Sequence, residues 1–255
     1  MTQPTGVRKD LLRLDKRELQ ALNDGFEALV AIEGPGGYQH IAGIFGEPGR
    51  HYQPTDPALF LPWHRAYLIA FERLLGRIWP GVSLSYWDWT DDAASSTGIP
   101  GRLKNVAYSD KDQGVWLNQF CRAPIDCIGH ESLTERSPGP PGDLKPLTEA
   151  VRNTLMQTTY LVFGANLAEV SREFRRWVGG HLANDEYAAY DPLFWFHHAN
   201  FDRLWAAWQQ ANGNASVPEP LLDKVLDPFA IRVRDVLEID RLAYTYDGFS
   251  GVRLA

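Results

Sequence analysis

The sequence predicts a mainly α fold with long irregular loops and little strand. Three observations carry that reading. Apolar residues recur at three- and four-residue steps in several stretches, alternating strand-like runs are few, and glycine- and proline-rich runs separate the helical stretches. The first helix begins at Asp15, where Glu18 completes a capping-box pattern and Leu19, Leu22, Phe26 and Leu29 fall on one face. From Gly34 to Pro62 the chain is dense in turn formers and reads as a loop crossing a site. A second helix is expected over Arg65 to Ile78, with Tyr67, Phe71, Leu74 and Leu75 inward. Residues 90–145 read as an irregular insert, cut by SPGPPGD at Ser137 to Asp143, that covers a site or lies on the surface. A third helix is expected over Leu147 to Phe163 and a fourth around Leu167 to Val178. The fifth runs from Pro192 to about Ala211, where Asp191 supplies the N-cap and Pro192 the first helical position.

Composition limits the function classes. The 255 residues are 44% hydrophobic, enough for one substantial core, and the whole of 1–255 is expected to be a single domain. A formal net charge of -7 leaves no basic stripe, so nucleic acid is not an expected partner. Neither an N-terminal apolar leader nor a membrane span is visible, which gives the expectation of a soluble, cytoplasmic protein. Cys121 and Cys127 are too few for a disulfide framework and are expected to be reduced structural thiols. Composition does not indicate an oligomeric state.

Seven histidines hold the most informative chemistry: His40, His51, His64, His130, His181, His197 and His198. Two of their surroundings are unusual. FLPWHRAYLIAFE, Phe60 to Glu72, places His64 at the opening of a helix behind an aromatic-proline turn. DPLFWFHHANFDRLWAAWQ, Asp191 to Gln209, places His197 and His198 one turn into an aromatic helix. A single core imidazole is commonly satisfied by one hydrogen bond and is structural; histidines on two separate helices point to a site.

Together with SLSYWDWT at Ser83 to Thr90, RWVGGHLA at Arg176 to Ala183 and AYTYD at Ala243 to Asp247, these segments resemble the central domain of the tyrosinase and hemocyanin (type 3 copper) family, in the family's order. The resemblance covers about Gly37 to Asp247. It implies a four-helix-bundle core holding two coppers, each bound by three histidines, that activate dioxygen to oxidise phenols; imidazole is a good copper donor. By the same resemblance, His64 and His198 match the third ligand of the first and second copper. The other four ligand positions fall on Phe45, Thr55, Ser171 and Arg175, none of them histidine, and the cysteine that crosslinks to a ligand in some members falls at Gln53. The chain also ends shortly after AYTYD, so no C-terminal lid is expected.

A phenyl ring donates nothing to copper, and a guanidinium repels it. His40, His51 and His181 restore the count of six, but His40 is five residues from Phe45 and His181 follows a Gly-Gly helix stop, so the spacing does not restore the site. No cofactor is therefore expected, with copper as the alternative; if any metal binds, His64 and His198 hold it. Ser171 and Arg175, four apart on one helical face, should look into the former copper cavity. Arg175 either pairs with Glu169 or Asp185 or holds the anion of a ligand. The leading expectation is an enzyme of specialised metabolism that performs metal-independent acid/base chemistry (isomerisation, cyclisation, dehydration or a lyase step) on a small aromatic, anionic or polyketide-like molecule. His64, His198, Arg175 and Ser171 are its catalytic candidates, and Phe45, Thr55, Trp63, His197 and Trp195 its substrate-binding candidates. The alternatives are a copper-dependent phenol, o-diphenol or aminophenol oxidase with displaced ligands, and a non-catalytic protein that binds a small molecule or a partner.

Overall fold

The computed structural model describes residues 6–103, 108–110, 114–116, 120, 122–214 and 217–248. In chain order these form β1 (Gly6–Arg8), α1 (Lys16–Val30), α2 (Tyr38–Gly46), α3 (Phe60–Ile78), α4 (Ala94–Thr97), β2 (Tyr108–Asp110), β3 (Gly114–Trp116), β4 (Pro124–Cys127) and β5 (His130–Leu133). The second half holds α5 (Leu144–Leu155), α6 (Tyr160–Val178), α7 (Pro192–Asn212), α8 (Glu219–Leu222), β6 (Val225–Leu226), β7 (Ile231–Arg232) and β8 (Tyr244–Tyr246), with short 3-10 turns between them. The strands pair only two by two, β1 with β8 in parallel and the rest as small hairpins. The fold is thus mainly α, as the periodicity predicts. No helix of the described residues is long and apolar enough to cross a membrane.

The centre is the packing of α3 on α7, with α6 against α3 on one side and α1 and α2 on the other. Both central helices are buried around most of their circumference, which explains their aromatic composition. The capping box at Asp15 and Glu18 forms, and the Asp191 side chain accepts from the Leu193 amide at the start of α7.

Three boundaries differ from expectation. The stretch expected to be a loop from Gly34 contains α2. Its glycines mark close approach rather than turns: a Cβ at Gly46 would collide with the Asp185 carbonyl, and one at Gly43 with Glu47. Helix α3 begins five residues early, at Phe60, because Pro62 falls in the first turn, where its missing N–H is tolerated. The break between the third and fourth helices lies at Met156–Thr159, not beyond Phe163. Gly164 does not interrupt the helix; it sits inside α6 and faces Leu61 of α3. Cys127 is buried on β4; Cys121 lies outside the described residues.

A polar knot crosses the apolar core. Asp202 of α7 accepts from Arg65 of α3 at 2.5 Å, from Arg8 of β1 at 3.0 Å, and from the hydroxyls of Tyr244 and Tyr246 of β8 at 2.7 and 2.5 Å. Arg8 also pairs with Glu72, and the Arg65 guanidinium lies 3.6 Å over the Trp205 ring. Burial alone would raise the Asp202 pKa; the Arg65 and Arg8 charges and the tyrosine hydroxyls outweigh it and hold the carboxylate below its ordinary value. Replacing Asp202 with alanine leaves two guanidiniums without their shared anion, and the expected loss is about 3–5 kcal/mol in urea unfolding. A loss of less than about 1 kcal/mol, typical of an exposed pair, would show that the knot is dispensable. Because the folded pKa is depressed, the Asp202 contribution is full above the unfolded carboxylate value of about 3.9 and is lost as pH falls through the lower folded value. Acid unfolding of the wild type and of Asp202→Asn should therefore converge only below that window.

Candidate active site

Helices α2, α3, α6 and α7 and the segment before α3 enclose a cavity of about 70 Å³. That is room for several waters or one compact chemical group, and far less than the roughly 300–1,000 Å³ of a pocket for a drug-sized ligand. Its wall contains His64 and His198, Ser171 and Arg175, and Phe45 and Thr55. The fold thus brings together six residues drawn from across the sequence. Trp63 and Trp195 do not line it. The Trp63 indole donates to the Asp227 carbonyl at 2.8 Å, and Trp195 faces away, stacked on Phe71 with its N–H on the Tyr38 hydroxyl. Phe60, which the sequence does not single out, stands in their place 4.5 Å from the His64 ring.

His64 and His198 form the floor. Each ring donates its Nδ1 proton to the carbonyl one turn earlier, Phe60 and Phe194 respectively, at 2.8 Å in both cases, which leaves each Nε2 as a lone pair. The two rings stack face to face, centroids 4.4 Å apart and planes within 4°. Burial pushes His64 down to about 3, opposed by the Phe60 carbonyl and reinforced by the Arg175 charge. Burial likewise holds His198 far below the ordinary imidazole value, with His64 and His197 adding to it. The ordinary titration near pH 6.5 does not apply here, and both imidazoles are neutral at pH 7.

His197 is not on the cavity. It stands behind Ser171: the Trp89 indole N–H donates to His197 Nδ1 at 3.0 Å, so His197 carries its proton on Nε2 and donates it to Ser171 Oγ at 2.9 Å. Burial, and after it the Arg175 charge, keeps His197 neutral too. The SLSYWDWT segment shows Trp89 in the sequence, but only the fold reveals that its N–H sets a tautomer.

Arg175 is 6% exposed and lies with its guanidinium carbon 5.5 Å from the Phe45 ring centroid. Of its two expected partners it pairs with Asp185, Nη1 to Oδ1 at 2.6 Å, whereas Glu169 pairs with Arg172. Asp185 itself is half exposed, so this ion pair runs from the cavity wall to the surface. The remaining histidines lie elsewhere: His181 accepts from the Glu135 amide, His130 stacks on Tyr187, and His40 and His51 do not line the cavity. Within residues 90–145, none of the described residues lines it either; β4 packs instead on α2 through Gln39 and Pro124.

The model for the common central domain of tyrosinase matches residues 35–211. The chain belongs to the tyrosinase central-domain family. Among its relatives is the A-type hemocyanin (units Ode to Odg) of Enteroctopus dofleini, 31% identical over an alignment of 226 residues that covers 80% of this chain and only 18% of that multi-unit protein. Unit G of the beta-C hemocyanin chain of Helix pomatia is 29% identical over 98% of this chain and 68% of its own length. A functional unit of octopus hemocyanin superposes with a TM-score of 0.81 at 26% identity, over 98% of this chain and 70% of the other. The tyrosinase of Burkholderia thailandensis gives 0.81 at 21% identity, over 98% and 75%, a likeness of fold.

In this family member the cavity side chains do not make a donor set for two coppers with three imidazoles each. His64 and His198 keep what a metal ligand needs, an anchored Nδ1–H and a free Nε2. The aromatic ring of Phe45 and the cation of Arg175 cannot bind copper. One ion cannot be shared by the pair either, because an ion in the plane of one stacked ring lies outside the plane of the other. Among the described residues no group of three His, Cys, Asp or Glu is placed to hold a metal. Replacing Phe45, Thr55, Ser171 and Arg175 together by histidine is expected to produce copper uptake, read by metal analysis after copper loading and dialysis. If the quadruple variant folds and takes up no more copper than the wild type, these four positions are not what distinguishes the two donor sets.

Proposed function

We propose that this chain is an enzyme that uses the tyrosinase scaffold for copper-independent proton transfer on a small molecule carrying a carbonyl, enol or phenol oxygen. The single observation that carries the reading is the junction of Arg175 with two buried neutral imidazoles in one small cavity. In the proposed step His198 Nε2 takes a proton from carbon. The electron pair moves onto the adjacent oxygen, where Arg175 N–H and Ser171 O–H donate to it. Return of the proton to another carbon is an isomerisation; loss of a leaving group or closure onto an internal carbonyl gives the lyase, dehydration or cyclisation outcome. Negative charge on that oxygen offsets the Arg175 charge that helps keep the imidazoles neutral, so the base strengthens as the anion forms. The cavity volume limits what enters to a compact head group, so an aromatic or polyketide-like skeleton would leave its remainder outside.

A second reading is copper-dependent oxidation of a phenol, o-diphenol or aminophenol, favoured by the anchored Nδ1–H and unprotonated Nε2 of His64 and His198. Hydrogen–deuterium exchange at carbon separates the readings whatever the natural substrate. Metal-chelated protein in D2O, incubated with small enolisable carbonyl compounds such as pyruvate and acetoacetate and followed by proton NMR, should exchange at least one of them above the buffer rate. Arg175→Met should lower that rate about 100-fold, the usual effect of removing an oxyanion donor. Buffer-rate exchange throughout, or full exchange in Arg175→Met, would end the first reading. About two coppers per chain with oxidation of a phenol would establish the second. Binding without exchange would assign the chain a non-catalytic role.

A further inference from the structure

Four buried polar atoms of the described residues have no hydrogen-bond partner: His64 Nε2, Arg65 Nη2, Thr148 Oγ1 and Trp205 Nε1. Of these residues only His64 lines the cavity. An orphaned buried acceptor is destabilising and calls for an explanation. His64 Nε2 is an acceptor and nothing else, since its Nδ1 already holds the ring proton against the Phe60 carbonyl. The rings of Phe60, Phe45 and His198 surround the His64 ring, with centroids 4.5, 5.9 and 4.4 Å from its own.

The facing wall has the opposite character. Ser171 Oγ receives the His197 Nε2 proton, so its own hydroxyl proton is the one left to give. Of the five N–H donors of Arg175, one is used by Asp185. Arg172 also lines the cavity, with its guanidinium paired to Glu169, and no carboxylate stands on the wall. The cavity therefore offers donors and positive charge on α6 and a lone acceptor on α3.

From this we propose, resting on the acid/base reading above, that the ligand is a small carboxylate with a hydroxyl on the adjacent carbon, a 2-hydroxy acid, in which the electron pair released at that carbon moves onto the carboxylate held by Arg175 and Ser171. Its carboxylate accepts from Arg175 and Ser171, and its hydroxyl donates to His64 Nε2. His64 is then the residue that selects for the hydroxyl, and His198 remains the base. Trp89 and His197 are positioning residues that hold the Ser171 proton toward the ligand.

Ligand-observed NMR titration of the metal-free full chain with acetate, glycolate and methoxyacetate tests this directly. Glycolate should bind at least about tenfold more tightly than methoxyacetate, which carries the same carboxylate and no hydroxyl proton. Equal affinities, or no binding of any of the three, would overturn the proposal. His64→Phe removes the orphan and keeps the ring, so it should fold, still bind acetate, and bring the glycolate preference down to about onefold; a preference that persists in this variant places the hydroxyl elsewhere and refutes the assignment. Ser171→Ala should weaken all three ligands by a common factor. Selective glycolate binding with no carbon exchange in D2O would retain this ligand class while removing the catalytic reading. Carbon exchange without glycolate selectivity would do the reverse.

Discussion

The ionic knot at Asp202 is the constraint on which the rest depends. One carboxylate joins α7 to α3 through Arg65, to β1 through Arg8 and to β8 through two tyrosines. The chain positions that meet there come from both ends of the described sequence and from its middle. Desolvating three charges is tolerable only because each has several partners, and the alternative of an unpaired guanidinium in the same place is far worse. The knot fixes the relation of α3 to α7, and that relation is what lets His64 and His198 stack within 4° of parallel. The order of the site thus begins one helical turn away from it, since Asp202 follows His198 by four residues and Arg65 adjoins His64.

The cavity chemistry follows from that rigidity. Two helices anchored to each other hold two imidazoles whose Nδ1 protons are committed to their own helix carbonyls. Neither ring can turn without losing that bond. The wall formed by α6 is set differently, by a chain of side chains from Trp89 through His197 to Ser171 and by the ion pair of Arg175 with Asp185. The loop bearing Asp185 is seated directly on Gly46 at the end of α2, a position where any side chain would collide with it.

Helices that announce themselves by caps are legible in the sequence: Asp15 with Glu18, and Asp191 with Pro192, mark their elements to the residue. Glycine misleads where it serves packing. Gly43 and Gly46 look like turn formers and Gly164 like a helix break, yet each sits inside a helix where another element comes close, and a one-dimensional pattern carries no information about that approach. The meeting of Phe45, Thr55, Ser171 and Arg175 with the two histidines follows from the family resemblance and the four-residue spacing on α6. Which anion Arg175 finds, which way Trp195 faces and which tautomer His197 adopts depend on contacts between residues distant in sequence, and these become readable only in the fold.

The ion pair of Arg175 and Asp185 also ties a buried site to the ionic strength of its surroundings. Its cation is 7% exposed and its anion 56%. At physiological salt, screening acts over about 8 Å in water and scarcely at all within the protein. Added salt therefore dims the surface carboxylate while leaving the buried guanidinium at nearly full strength. The potential inside the cavity therefore becomes more positive as salt rises, so added salt favours the retention of an anionic molecule there.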